Sequence, residues 1–414
     1  NNVARVVIPA GATVIYDSAL VGQTGSVIVN NGELTFNGPN NFNFANQVSG
    51  TGSLNVTGAG TLTLSGHNTF TGNVNMNSSS VVLATADAVT STLVSNGGYL
   101  SILTPQSNLR LSGDFNLVTG LSGTYTVAAN TSATLRQFGN TPLTLAGNLI
   151  DNGTLNLVGS QSNLTAVVSV NGVLNLGGIT ATTLSGDNTF TGQINMGAAS
   201  LNLASLNALG AAALNSSGGH LSVTSGLTLQ QLVVGGSAVT LDTDITTVGN
   251  QTYNAAVTIG NTISLTSEQG NIEFASTLDA SQNNLTIVGS AVTAGNSLTL
   301  NAMGAGARVI FNGLVGANVF GQNYRNTWLA AGYRNSLYSL TVNAETAVIL
   351  ADIVTFEAQN YFSNLLIGDN GANGMTRTLV SEDPKIQIKG LNGSVKIDDI
   401  DPRGGQHSLI LKAI

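Results

Sequence analysis

A thirteen-residue segment of this 414-residue chain recurs with ten positions identical. LSGHNTFTGNVNM, from Leu64 to Met76, returns 120 residues later as LSGDNTFTGQINM, from Leu184 to Met196. The match resumes in GGYLSI from Gly97 and GGHLSV from Gly218, with one residue inserted between. A stacked solenoid produces such recurrence, because equivalent coils need equivalent turn residues and equivalent inward faces. A duplicated globular domain is the competing reading. It would call for a linker between the copies, and none is visible.

Short alternating runs of four to six residues fill the rest of the chain, separated by Gly, Asn or Ser-Gly. Examples are SVIV from Ser26, ELTF from Glu33, SLNV from Ser53, TLTL from Thr61, TLNL from Thr154 and SLTL from Ser297. Each reads as a strand with one buried face, and no amphipathic helix interrupts the series before about residue 324. A two-sheet sandwich uses similar strands, but 414 residues without a Pro-rich break exceed one ordinary sandwich. The expectation is therefore an all-β chain wound as a right-handed parallel β-helix, continuous over 1–374, with charged terminal strands over 375–414 that serve as a cap. At roughly 20 to 25 residues per coil and about 4.8 Å between stacked strands, such a rod would measure roughly 80 to 100 Å.

Composition narrows the function. Only 8% of residues are charged while 42% are hydrophobic, and the mean hydropathy is +0.23, which excludes a disordered acidic chain. The net charge of −8 supplies no basic field for nucleic acid or an anionic membrane. Basic residues are concentrated late: after Arg5, Arg110 and Arg136, the next is Arg308, and the first Lys is Lys385. There is no Cys, so disulfides and thiolate chemistry are excluded. The chain opens at Asn1 with no signal peptide or apolar span, so a targeting segment has been removed or the chain is a fragment; processing for export is the expectation.

The segment VSGTGSLNVTGAGTLTLSGHNTFTGNVNM, from Val48 to Met76, resembles the passenger-associated repeat of autotransporters, with its core from Gly58 to Gly72 and a partial second copy from Leu184 to Gly192. A second stretch, Val248 to Leu350, containing GNQTYNAAVTIG, NIEFASTLDA, NNLTIVGS and SLTVNAETAVIL, is similar to repeats of filamentous-haemagglutinin-type exoproteins. Together these cover roughly half of the chain. They imply a β-helix exported across the outer membrane of a Gram-negative bacterium and used at the cell surface in adhesion, coating or presentation. No translocating barrel follows in this sequence. Neither repeat type carries catalytic residues, so no site residue transfers.

The residues offer one distinctive site. The run from Phe320 to Leu340 interrupts the second repeat region and carries Phe320, Tyr324, Arg325, Trp328, Tyr333, Arg334 and Tyr338. Tyr, Trp and Arg dominate binding hot spots, which makes these seven the candidate contact for a surface protein or glycan, or for self-association. Packing of the same residues back onto the rod is the alternative, and the two readings are compatible.

Other constellations are weaker. His67, His220 and His407 stand in no HxxxH or HExxH spacing, so no metal or cofactor is expected. Asp242 and Asp244 share a strand face by alternation, and Asp398, Asp399 and Asp401 lie near Arg403. Carboxylate pairs of this kind serve polysaccharide-cleaving β-helix enzymes, but a solvated turn explains both sets. GDNGANG, from Gly368 to Gly374, lacks the acidic spacing and closing Glu of a calcium loop. A non-catalytic role is expected, with a self-assembling filament or surface layer as the alternative and a polysaccharide-acting enzyme as the third.

Overall fold

The computed structural model describes residues 5–16, 26–137, 141–165, 167–281, 286–288, 291–316, 337–368, 376–381, 386–388, 397–400 and 408–413. They contain forty β-strands and no helix. The chain forms two compact units, one of Asn1–Asn195 with Gly210–Ala212 and the other of Met196–Leu209 with Ala213–Ile414. The division falls inside the second copy of the thirteen-residue repeat. Each unit is a parallel β-solenoid.

In the first unit, coils of about 20 residues stack in register. Glu33–Phe36 pairs in parallel with Thr13–Tyr16 on one side and Ser53–Val56 on the other. Thr61–Leu64 likewise lies between Phe42–Phe44 and Ser80–Leu83. The alternation read from the sequence is the burial pattern observed. In Thr61–Leu64 the two Leu are buried and the two Thr half-exposed, and Glu33–Phe36 and Ser53–Val56 repeat the pattern. Successive Cβ atoms of a strand point to opposite faces, so every second residue joins a continuous Leu, Val and Phe interior.

The corners explain the glycines. A Cβ on Gly52 would lie 2.2 Å from the carbonyl oxygen of Gly32, and one on Gly72 would lie 2.2 Å from that of Gly52. Coils can approach to strand spacing at this corner only where no side chain intervenes. Gly97, with φ of +81°, and Gly98 turn a second corner inside the eleven-residue strand Thr92–Ile102, where the pairing register shifts between Asn96 and Gly98.

The second unit contains a repeat that the thirteen-residue match does not announce. Residues 232–260 and 340–368 align without a gap at an offset of 108. Their pairings correspond: Leu232↔Gln251 and Val239↔Val257 in one, Leu340↔Gln359 and Ala347↔Leu365 in the other. Leu229 and Leu337, also 108 apart, pair with Thr247 and Thr355. Inside each copy the same three polar side chains are fully buried. Tyr253 Oη donates to Gln251 Oε1 at 2.8 Å, Gln251 Nε2 donates to the Ile245 carbonyl at 3.2 Å, and Thr247 Oγ1 donates to the Gly249 carbonyl at 2.5 Å. Tyr361, Gln359 and Thr355 make the corresponding bonds at 2.9, 3.3 and 2.6 Å. Rings also stack through the interior, Tyr253 on Phe274 at 5.1 Å and Phe274 on Phe311 at 5.9 Å.

Insertions distinguish this unit. The strands Thr286–Val288 and Ala291–Ala294 form an antiparallel pair in a sheet of two. Leu298 is separated from its partner Leu340 by 42 residues, whereas Leu340 and Gln359 are 19 apart. Of the 375–414 segment the structure describes four strands, and Thr376–Ser381 pairs in parallel with both Ile353–Thr355 and Ser408–Ala413.

Candidate recognition surface

Six of the seven aromatic and Arg candidates, Phe320, Tyr324, Arg325, Trp328, Tyr333 and Arg334, lie outside the described residues. Tyr338 is described, and it belongs to a coil. Its amide donates to the Asn296 carbonyl at 2.8 Å and its carbonyl accepts the Glu357 amide at 2.5 Å. It takes the place that Gln230 holds 108 residues earlier, where the Gln230 carbonyl accepts the Gly249 amide at 2.8 Å. Its half-exposed ring stacks on Phe356, 6.5 Å between centroids and 8° from parallel, so the wall here presents a paired aromatic face.

His67 and His220 sit on the outside. His67 Nδ1 lies 2.7 Å from Asp87 Oδ1 and His220 Nδ1 lies 2.9 Å from Asp242 Oδ2, each pair joining residues one coil apart. His407 lies outside the described residues, as do Asp401, Arg403 and 369–374 of the GDNGANG stretch. Among the described residues no group of three or more His, Asp or Glu could hold a metal ion.

Asp242 and Asp244 correct the reading by alternation. The strand ends at Leu241 and the next begins at Ile245, so both residues belong to a corner. The alternation stops because Thr243 turns its hydroxyl to the preceding coil, accepting from the Val223 amide at 2.8 Å and donating to its carbonyl at 3.3 Å. Asp242 engages His220, while Asp244 Oδ1 accepts the Ser264 amide at 2.7 Å. Thr119 clamps Ile102 in the same way, at 2.8 and 3.3 Å, which extends the equivalence of the first repeat by a further coil.

Many of the described outward polar groups bond to the next coil. In the first unit Asn195 donates to Asn175 at 2.8 Å and Asn175 to Asn156 at 2.7 Å, while Asn75 donates to Asn55 at 2.8 Å and Asn55 bonds to Glu33. In the second unit Asn343 donates to Asn301 at 2.7 Å. Inside the first unit, Asn68 accepts the Val48 amide at 2.9 Å and donates to the Ala88 carbonyl at 2.7 Å, tying three coils together. Each ladder spends a donor and an acceptor that would otherwise face water, and leaves a neutral wall rich in amides and hydroxyls.

Two polar recesses open along one corner of the first unit. One, of about 330 Å³, lies beside Gly32 and Gly52, and the other, of about 430 Å³, is lined by Asn130, Thr131, Ser132, Asn152, Gly153 and Thr154. Buried carboxylates are few. Asp151, beside the second recess, and Asp279, in the second unit, are each pushed up to about 6 by burial, and each has one oxygen without a hydrogen-bond partner. The Tyr125, Tyr253 and Tyr361 hydroxyls are likewise raised by burial. Sequence reading missed the buried Thr, Gln and Tyr set and Asp151; the signal for the first was the TxxxQxY spacing shared by Thr247–Tyr253 and Thr355–Tyr361.

Comparison of the chain with protein-family models, with curated proteins and with solved structures found no match.

Proposed function

We propose that the protein is a secreted, non-catalytic surface protein of a Gram-negative bacterium, acting in adhesion or surface coating through contacts with surface proteins or glycans. The observation that carries this reading is how the wall is built. Its Asn, Thr and Ser side chains are tied coil to coil, and the carboxylates best placed for acid and base work, Asp242 and Asp244, serve a corner. Such a surface is stiff, nearly uncharged and rich in donors and acceptors, which suits many weak contacts along its length. The similarity of Val48–Met76 to passenger-associated repeats favours the same export route.

The test is to label intact cells with antibody to the purified chain and to measure binding of that chain to host cells and to immobilised glycans. Label on intact cells with saturable binding is expected. Label only after permeabilisation would refute the reading. Replacing Trp328 and Tyr324 with Ala should weaken binding without altering the β-sheet circular dichroism if the aromatic run makes the contact; unchanged binding removes that run from the proposal.

Self-assembly into a filament or layer is the second reading. It is favoured by Val6, Val7, Val14 and Ile15, which are 36 to 60% exposed on strands of the first unit that pair along one side among the described residues. Electron microscopy and size exclusion of the purified chain distinguish ordered polymers from dispersed molecules. Glycan turnover abolished by Asp242→Asn or Asp244→Asn would instead establish an enzyme.

A further inference from the structure

The first unit builds one corner twice with different chemistry. Asn30 ends the strand Val27–Asn30 and Asp151 ends Leu143–Asp151, and each is followed by Asn-Gly. Three amide hydrogen bonds match. The Asn31 amide donates to the Ile8 carbonyl at 2.8 Å, and the Asn152 amide to that of Val127 at 2.9 Å. The Gly52 amide donates to the Asn30 carbonyl at 2.8 Å, and the Gly172 amide to that of Asp151 at 3.0 Å. The Gly32 amide donates to Asn30 Oδ1 at 3.2 Å, and the Gly153 amide to Asp151 Oδ1 at 3.0 Å.

One bond breaks the match. Asn30 Nδ2 donates to the Ser53 carbonyl at 2.9 Å, on the next coil. Ser53 pairs with Glu33 as Val173 pairs with Thr154, so the Val173 carbonyl is the corresponding acceptor beside Asp151. Asp151 Oδ2 has no partner, and both side chains are fully buried. An ionised carboxylate has nothing to donate to a carbonyl, whereas a carboxylic acid has one O–H.

We propose that Asp151 holds a proton in the folded protein and donates it from Oδ2 to the Val173 carbonyl, so that this corner is closed in acid and loosened when the proton leaves. Among the described residues, no cation lies on a strand that pairs with Leu143–Asp151. Of the strands packed against Leu143–Asp151, Thr154–Leu164 and Val167–Val170 contain no titratable residue. Leu121–Val127 contains only Tyr125, whose hydroxyl donates to the Ala146 carbonyl. The cations on neighbouring strands are Arg110, in register with Thr126 and through it with Ile150, and Arg136 on Ser132–Gln137, and both are exposed. Burial raises Asp151 to about 6 against the opposing pull of the Gly153 and Leu155 amides. A carboxyl raised above its unfolded value contributes stability in acid, and that contribution is lost as pH climbs through about 6. Asn152, Gly153 and Thr154, the turn that Asp151 pins, line the 430 Å³ recess, so the proton also governs the shape of that recess.

The test uses the full chain, the Asp151→Asn variant and the Asn30→Asp variant, with amide hydrogen exchange corrected for intrinsic rates between about pH 4.5 and 8. Wild type should lose at least about tenfold in protection at Gly153 and Gly172 across that range. Asp151→Asn, which installs the side chain of the other corner, should hold protection constant and melt higher than wild type at the alkaline end. Asn30→Asp should acquire the same loss at Gly32 and Gly52. Difference infrared spectra in acid should show a carboxylic acid band that Asp151→Asn removes; Asp279 is common to both samples and cancels. Flat protection in wild type, an unchanged band in Asp151→Asn, or a pH-independent corner in Asn30→Asp would overturn the proposal.

Discussion

The two internal repeats differ in what they keep. Between Leu64–Met76 and Leu184–Met196 most letters persist, including exposed ones, because the segment is largely corner and corner residues such as Asn68 meet fixed backbone groups. The next corner shows this geometry. Ser95 Oγ accepts the Gly98 amide at 2.9 Å and Ser216 Oγ that of Gly219 at 3.1 Å, while Gly97 and Gly218 both have positive φ. Between 232–260 and 340–368 few letters persist. Those that do are an apolar frame of Leu232, Val234, Ile245 and Ile259, the buried Thr, Gln and Tyr, and Asp244 and Gly260. A corner constrains identity through backbone geometry, whereas a wall constrains only apolarity, except where a polar side chain has been taken inside and must find every partner there.

Substitutions should separate these two kinds of constraint. The largest effect is expected at Gln251→Ala, which leaves the Tyr253 hydroxyl buried without its acceptor, takes a donor from two carbonyls and opens a cavity; a loss of about 4 kcal/mol in denaturant unfolding is expected, and Gln359→Ala should match it. The double change Gln251→Leu with Tyr253→Phe should recover most of that loss, because it removes the polar groups together. Next comes Gly52→Ala, whose methyl would meet backbone that cannot yield, at about 3 kcal/mol. Asn68→Ala removes a donor and an acceptor joining three coils and should cost about 2 kcal/mol. Smallest is His67→Ala. The imidazole is 73% exposed, so thermal melting should register no more than about 0.5 kcal/mol despite the 2.7 Å contact with Asp87.

Much of the architecture was legible in the sequence because a strand with one wet face writes its burial as alternation. ELTF, SLNV and TLTL are strands over the very residues read, and a corner as short as Asn-Gly is marked by its own letters. Alternation fails where side chains bond to the neighbouring coil. Asp242 and Asp244 have the spacing of one strand face and are corner residues, because Thr243 between them is clamped to Val223. The buried Gln and Tyr were illegible for a different reason. Polar letters in a strand normally mean the outer face, and only the pairing of Gln251 with Ile272 and of Tyr253 with Phe274 shows that these point inward. Of the proposed contact, Tyr338 alone can be placed, as a wall residue whose ring covers Phe356.

The central claim is the coil-to-coil register, and the absence of native Cys allows a direct measurement of it. Thr63, Val82 and Ser101 are register partners on three successive coils, Thr63 with Val82 and Val82 with Ser101, and all three side chains are half-exposed. Adjacent coils place Cα atoms about 4.8 Å apart and alternate coils about twice that, while a disulfide needs less than about 7 Å. Three double-Cys variants, 63 with 82, 82 with 101 and 63 with 101, would be oxidised under identical conditions and the cross-linked fraction read by mass spectrometry of proteolytic fragments. The stacked register requires the first two to close nearly completely and the third to remain reduced. Closure of the 63 with 101 pair, or failure of both neighbouring pairs, would contradict it.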